Sequence, residues 1–394
     1  MADKDERAAK RIKTNEGEDE GVPSNDATSI QIVNDDDLSK FTSFHPAFTY
    51  HAFGKEEVIH GYRGLQIKIT LSAKTFDCHV DVEYDHKDND ADDLIERMAN
   101  SLPKGFTRDK KAFLQSLGDG PFKPAGSLVD TYSTNDKTFS THYSVLSDDP
   151  QGKAYLEKMQ KLSLYFIEGA DDVDVEDSRW SLYVIYETTH GDHRPVGYIT
   201  VFTFHTPFTI HVGHNMRICQ VLVLPPYQRQ GHGERLVEHI MHQARSMKHV
   251  HEVTVEDPVP GFSMLRDVVD VKTCLSHGFF SVPPTGEPTC VAHGTRSLTA
   301  EGIAAVKQSL KLTKQQTQRC YEVLKLRFLD RSNEEQYKAF RLEVKRRLHT
   351  LHAEDLEAMG SADRRKGLLA TLYEELEANY DRILKRCGLL PRTA

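Results

Sequence analysis

The spacing of apolar positions changes along the chain and divides it. Residues 1–37 carry few large apolar side chains among many Asp, Glu, Asn, Ser and Gly. Such a stretch cannot bury enough surface to offset its ordering entropy and reads as disordered. Beyond it, apolar positions alternate at 65–71 and 76–84, as in half-buried strands, and take helical spacing at 92–102. Residues 165–168 read as the end of a strand, and 181–186 and 196–204 as two strands about a hairpin loop at 188–194. A strand at 216–224, a turn at 225–227, a helix at 234–245 and a second strand at 251–255 follow. After 271 the period becomes helical, with helices at 300–310, 314–329 and 333–349. A break around Gly360 precedes a fourth helix at 369–387, expected as a coiled or weakly docked tail. The expected organisation is α+β: a disordered acidic tail (1–39), a small α+β domain (40–124), a core (125–270), a helical C-terminal domain (271–349) and a helical tail (350–394).

Composition narrows the class. The chain has 394 residues, too many for one ordinary core, with 38% hydrophobic and 28% charged residues. Mean hydropathy is −0.53. No apolar run approaches the roughly 20 residues that span a bilayer, and the N-terminus carries no apolar signal region, so no membrane association is expected. Cys78, Cys219, Cys274, Cys290, Cys320 and Cys387 are scattered without a Cys-x-x-Cys pair, as free thiols in a reducing compartment. His211-x-x-His214 and His249-x-His251 lack cysteine partners at finger spacing, so no metal is expected. Net charge is −9 (50 basic, 59 acidic residues), which argues against direct nucleic-acid binding and suits a basic substrate. Lys10-Arg-Ile-Lys13 is a short basic cluster that could serve nuclear import or be plain solvated charge.

The chemistry concentrates between 216 and 257. A strand, the segment Gln228-Arg-Gln-Gly-His-Gly233 and a helix start at Glu234 bring backbone N–H groups and the positive end of a helix dipole to one point, where a pyrophosphate can sit without a lysine. Gly231 and Gly233 allow close approach of the backbone. The segment lacks the Lys-Ser/Thr of a nucleotide P-loop and the first glycine of the dinucleotide fingerprint. Taken alone, it is equally a plain helix start. Glu256-Asp257-Pro258 closes the second strand; its acids suit a general base, or an N-cap for a helix at 262–268.

These residues carry a resemblance. Leu222-Val-Leu-Pro-Pro-Tyr-Gln-Arg-Gln-Gly-His-Gly233, with Thr254-Val-Glu-Asp-Pro258 and Leu265-Arg-Asp267, resembles the type B histone acetyltransferase catalytic subunit, within the Gcn5-related N-acetyltransferases. Phe48–Gly54, Gly61–Leu65, Tyr165–Glu168, Arg179-Trp180, 319–327 and 336–348 extend the likeness over roughly residues 40–348. The departure is at Val259, where some members carry a polar residue able to touch the cofactor. Beyond about 349 the likeness is poor.

The resemblance implies the fold of that superfamily: a mixed, mostly antiparallel sheet with flanking helices. It implies acetyl-CoA held by Val221, Leu222 and Val223 along a strand edge and by Gln228, Arg229, Gln230, Gly231, His232, Gly233 and Glu234. It implies Glu256 as general base, with Asp257 and Glu168 in the same cleft. A lysine amine has an ordinary pKa of about 10.4 and must lose a proton before it can attack. A carboxylate in a partly buried cleft among like charges is therefore the expected base. Trp180, Phe202, Thr203, Phe204, Glu56 and Glu57 match tail-contacting positions; on residue type alone Trp180 is equally core packing, and Glu56 and Glu57 a solvated turn. The acids between Asp171 and Asp177 could attract a lysine-rich peptide or be solvated surface. The expected reaction is acetylation of lysines on the N-terminal tail of newly synthesised histone H-4 by direct attack in a ternary complex, with a WD-repeat histone-binding partner and residence in cytoplasm and nucleus. The alternatives are an acetyltransferase for another protein or amine, and a non-catalytic histone-binding scaffold. Cys219, inside the strand, suits packing better than an acyl-carrying nucleophile.

Overall fold

A computed structural model describes residues 21–117, 122–189, 191–206, 213–280 and 298–389. The chain forms two compact units. One comprises residues 21–124 with 151–175 and 188–195; the other comprises 125–150, 176–187 and 196–394.

The first unit is built on a four-stranded sheet, β1 (Thr28–Val33), β2 (Phe41–Phe44), β3 (Gln66–Ser72) and β4 (Cys78–Glu83), in the order β2-β1-β3-β4. β1 runs parallel to β3 and antiparallel to β2. Ile30, Ile32, Ile67, Ile69, Leu71 and Val80 are buried, and their alternation is the reason these segments are strands. β1 lies inside the stretch expected to be disordered, so the ordered chain begins well before residue 40; residues 1–20, with the basic cluster, lie outside the described residues. Helix α1 (Pro150–Met159) and the segment after it belong almost wholly to this unit, which interrupts the core expected at 125–270. The cause is packing: Tyr155 sets its ring 5.0 Å from Phe76 and donates its hydroxyl to the Ala73 carbonyl at 3.1 Å. The strand expected at 165–168 is instead a 3-10 turn, Gln160–Tyr165, and the bend after it. Gln160 fixes that turn by accepting the Val173 N–H at 2.6 Å.

The second unit carries a six-stranded sheet: β5 (Ser127–Thr134), β6 (Lys137–Val145), β7 (Trp180–Thr189), β8 (Asp192–His205), β9 (His214–Val223) and β10 (Val250–Val255). The strand order is β10-β9-β8-β7-β6-β5. β5 and β6 form a hairpin whose two turn residues, Asn135 and Asp136, both have left-handed φ (+50° and +59°), the turn that matches strand twist. β8 and β9 are antiparallel, and β9 and β10 are parallel. A parallel pair needs a crossover, supplied by α2 (His232–Ser246). Leu236, Val237, Ile240, Met241 and Ala244 form its buried stripe, each large side chain contributing about 1.5–3 kcal/mol by leaving water.

Helices α3 (Pro260–Ser276), α4 (Ala300–Leu310), α5 (Lys314–Phe328), α6 (Glu334–Leu351) and α7 (Ala362–Arg386) follow in the same unit. The helices expected as a separate C-terminal domain and a loose tail fall in the same compact unit as the sheet. Tyr373, Tyr380, Ile383 and Leu384 of α7 are buried, and the Tyr380 hydroxyl donates to Glu322 at 2.6 Å. Among the described residues no helix is long and apolar enough to cross a membrane.

Candidate active site

The site begins where two strands part. β9 and β10 pair from His214↔Val250 to Ile218↔Val255, and a last bond runs from the Glu256 N–H to the Ile218 carbonyl at 2.9 Å. Past that point β10 turns away: Asp257 takes a left-handed φ of +32°, and Pro258 and Pro260 have no N–H to continue a ladder. β9 runs on with β8 as its strand partner, through Ile199↔Val221, Tyr198↔Leu222 and Gly197↔Val223. One extra residue of β9 stands opposite Thr200, whose hydroxyl accepts the Gln220 N–H at 3.0 Å, while Tyr198 donates to the Gln220 side chain at 3.0 Å. The bulge is thus held by buried polar groups. Since the N–H groups of Gln220 and Leu224 point toward β8, alternation turns those of Val221 and Val223 to the open side. Leu222 places its side chain in the core.

The loop below this edge has the backbone geometry of an anion cradle. Arg229 and Gly231 take φ of +63° and +90° on either side of Gln230, a conformation that turns successive N–H groups to one point. Gly231 caps α2 without any side-chain bond, and the first helical bond is Arg235 N–H to the Gly231 carbonyl at 3.1 Å. The N–H groups of His232, Gly233 and Glu234 are the orphan donors of a helix start. A Cβ at Gly233 would stand 3.0 Å from Leu265 of α3 and 3.9 Å from Val223 of β9, so the helix start sits between the two without a side chain of its own. Gln228 donates to the Val223 carbonyl at 2.9 Å and Gln230 to that of Pro226 at 3.0 Å, bracing the loop. Glu234 would repel an anion here, and Lys272 of α3 neutralises it at 2.5 Å. This donor set fits a pyrophosphate. Among the described residues no cluster of three metal-ligating side chains occurs.

The acid corner differs from expectation. The Glu256 side chain is half exposed, at 50%, with the Arg217 guanidinium 3.7 Å away. The strand end that carries it faces the opening, which explains the exposure. Cys219 lies next to it. Burial first, then the Glu256 carboxylate, pushes its thiol up to about 12. Asp257 is exposed at the mouth. Glu168 lies in the other unit, beside Gly169, whose N–H donates to the Tyr50 hydroxyl at 2.8 Å.

An aromatic stripe leads to this corner. The Trp180 and Phe202 rings are 4.7 Å apart, and those of Phe202 and Phe204 6.3 Å. Arg179 covers Phe202 at 4.6 Å and Arg217 covers Phe204 at 5.2 Å. Thr203, between the rings, donates its N–H to the Arg179 carbonyl at 3.0 Å. All these rings are half-buried, so Trp180 is not a core tryptophan. Arg217 was not singled out from sequence. Its signal was the strand period, which sets Arg217, Cys219, Val221 and Val223 alternately with buried neighbours. On the other unit Glu56 is exposed, but Glu57 is committed internally: its carboxylate takes the Thr49 N–H and the Asn25 side chain.

Comparison with known proteins agrees with this geometry. The family description "Histone acetyl transferase HAT1 N-terminus" matches residues 21–168, and "Acetyltransferase (GNAT) family" matches 145–260. The histone acetyltransferase type B catalytic subunit of Homo sapiens is 31% identical over 343 residues, covering 82% of this chain and 79% of that protein. That of Schizosaccharomyces pombe is 30% identical over 372 residues, 92% of each chain, and that of Cryptococcus neoformans 30% over 378 residues, 86% and 89%. Among solved structures, glucosamine-6-phosphate N-acetyltransferase from Arabidopsis thaliana aligns at 19% identity and a TM-score of 0.23, over 38% of this chain and 97% of that one, too low to add to the assignment. The mixed sheet, the split strands and these relatives agree, and the chain belongs to the type B histone acetyltransferase catalytic subunits.

Proposed function

We propose that this histone acetyltransferase, with acetyl-CoA as co-substrate, acetylates lysine ε-amines on the N-terminal tail of newly synthesised histone H-4, by direct attack in a ternary complex. The observation that carries the reading is the parting of β9 and β10 between an uncapped helix start and Glu256. Acetyl-CoA supplies an acetyl group activated as a thioester. The loop from Gln228 to Glu234 is suited to its pyrophosphate through backbone N–H groups, and the open edge at Val221 and Val223 to its amide-bearing arm, as a peptide adds to a sheet. A backbone N–H on that edge is the donor proposed for the carbonyl oxygen.

The acceptor arrives as ammonium, and Glu256 is the proposed base, directly or through a water in its half-exposed setting. Asp257 and Glu168 are the further acids proposed by resemblance. The half-buried rings of Trp180, Phe202 and Phe204, with Thr203, are the proposed seat for the tail, and Glu56 a proposed outlying contact. Direct attack is favoured because burial, and then the Glu256 carboxylate, push the thiol of Cys219 beside the open edge up to about 12, away from the thiolate form that an acyl-carrying nucleophile needs. A WD-repeat histone-binding partner and residence in cytoplasm and nucleus complete the proposal on resemblance alone.

The test is transfer of label from acetyl-CoA to a histone H-4 tail peptide, compared with unrelated lysine peptides and small amines. Preference for the histone peptide supports the reading, and equal use of any amine overturns it.

A further inference from the structure

The loop that meets the cofactor is fixed from an unexpected direction. His232 is the first residue of α2, and its backbone N–H is one of the orphan donors of that helix start. The residue is 1% exposed, and its Nδ1 is 2.8 Å from the hydroxyl of Tyr132 on β5. Its Nε2 is buried and has no hydrogen-bond partner among the described residues. The Tyr132 contact is therefore the polar tie that orients this imidazole. The Phe139 ring, 4.4 Å away, closes another side.

Tyr132 also touches the next turn of the helix. Arg235 lies over its ring at 4.8 Å and binds Asp130, two residues earlier on β5, at 2.7 and 2.9 Å. At the hairpin turn Asn135 donates to the Gln230 side chain at 3.4 Å. The edge strand and its hairpin turn thus grip residues 230, 232 and 235, on both sides of the left-handed Gly231. Backbone in the left-handed region persists only where its surroundings hold it, and an anion cradle works only when its N–H groups converge before the anion arrives.

We propose that Tyr132 is a positioning residue for acetyl-CoA: through His232 it holds the backbone that receives the pyrophosphate. The inference rests on the cofactor reading above. It separates two steps, because Glu256 is held at the end of β10 by its bond to Ile218, and β10 and β5 are opposite edges of the six-stranded sheet. Losing the Tyr132 hydroxyl therefore weakens capture of acetyl-CoA and leaves turnover of the filled site unchanged.

The experiment uses the full-length chain and the variant Tyr132→Phe, which keeps the ring under Arg235 and beside Phe139. Acetyl-CoA binding is measured by calorimetry, and KM and kcat with histone H-4 tail peptide. The expected result is a rise of about five- to tenfold in Kd and KM for acetyl-CoA, the worth of one hydrogen bond, with kcat within about twofold of wild type and a cooperative thermal transition retained. In a His232→Phe background the same change should alter Kd by less than about twofold, since the tie is already gone. Unchanged Kd in Tyr132→Phe, or a fall in kcat at saturating acetyl-CoA equal to that in kcat/KM, overturns the inference while leaving the cofactor reading intact. Failure of the wild type to bind acetyl-CoA overturns both.

Discussion

The Glu256 N–H donates to the Ile218 carbonyl at 2.9 Å, and this is the last bond joining β10 to β9. The proposed base is therefore anchored by its backbone at the point where the cleft opens, while its side chain is left half in solvent. Replacing Glu256 by Gln keeps that backbone bond and the side-chain shape but removes the proton acceptor. The expected outcome is a fall in kcat of about 10²–10⁴-fold at neutral pH, with Kd for acetyl-CoA within about twofold of wild type. Initial rates and calorimetry on one preparation decide it; a variant as active as wild type removes Glu256 from the chemistry.

Gly231 makes a second, separable prediction. Its φ of +90° is one that side chains rarely adopt, yet a Cβ there would meet nothing within 4 Å. The penalty in Gly231→Ala is thus backbone strain, about 1–2 kcal/mol, without a clash. The cradle can relieve it only by losing the convergence of its N–H groups, so Kd for acetyl-CoA should rise about tenfold while kcat at saturation holds. Calorimetry that shows wild-type affinity would mean that this loop does not take the pyrophosphate.

How much of this was legible in sequence depends on how local each feature is. The strand, the Gly-containing loop, the helix and the Glu256-Asp257-Pro258 stop all lie within about forty residues, and each is dictated by its neighbours. Tyr132 stands a hundred positions before His232, and nothing in either segment points to the other. β1 was hidden differently: its alternation spans only six residues inside an acidic stretch, and its stability comes from parallel pairing with β3, more than thirty residues later. For Glu57 the sequence offers a tail contact or a solvated turn, because an internal bond to a backbone N–H leaves no mark on residue type. α7 showed its apolar spacing at Tyr373, Tyr380 and Leu384, but dense charge between them obscured which face docks.

Histidines set a pH dependence of stability. His193, His214, His232 and His239 are all pushed below the ordinary imidazole range, each chiefly by burial. For His214 the neighbouring imidazoles of His205, His249 and His251 add to the shift; the first two rings lie 4.5 and 5.0 Å away. The folded state thus binds protons less readily than the unfolded chain, whose histidines titrate near about 6.5. The stabilisation is fully present above that pH and is lost as pH falls below it. Asp35, Asp267 and Asp270 are pushed up by burial and act in the opposite sense, so a variant is needed to isolate the histidine part. Urea unfolding at pH 7.5 and 5.5 should show a smaller loss of midpoint in His214→Gln than in wild type; equal losses would rule out the cluster as a contributor.

The C-terminal helix makes the last prediction. Glu322 of α5 is 1% exposed. Its carboxylate takes the Arg347 guanidinium of α6 at 2.6 and 2.7 Å and the Tyr380 hydroxyl of α7 at 2.6 Å, so one buried charge ties three helices. Arg347→Met keeps the apolar stem but leaves that charge with only neutral donors. Removing one partner of a buried pair costs about 3–5 kcal/mol. The Arg347 side chain is 29% exposed, so solvent screens part of this and the expected loss is about 2–3 kcal/mol. Tyr380→Phe, which removes one hydroxyl, should cost about 1 kcal/mol. Truncation after residue 360 uncovers the surface that Tyr373, Tyr380, Ile383 and Leu384 now bury and should give insoluble protein. Urea midpoints and soluble yield test all three. A truncated chain that stays soluble, with an Arg347→Met variant as stable as wild type, would show that α7 is dispensable to the unit that holds the site.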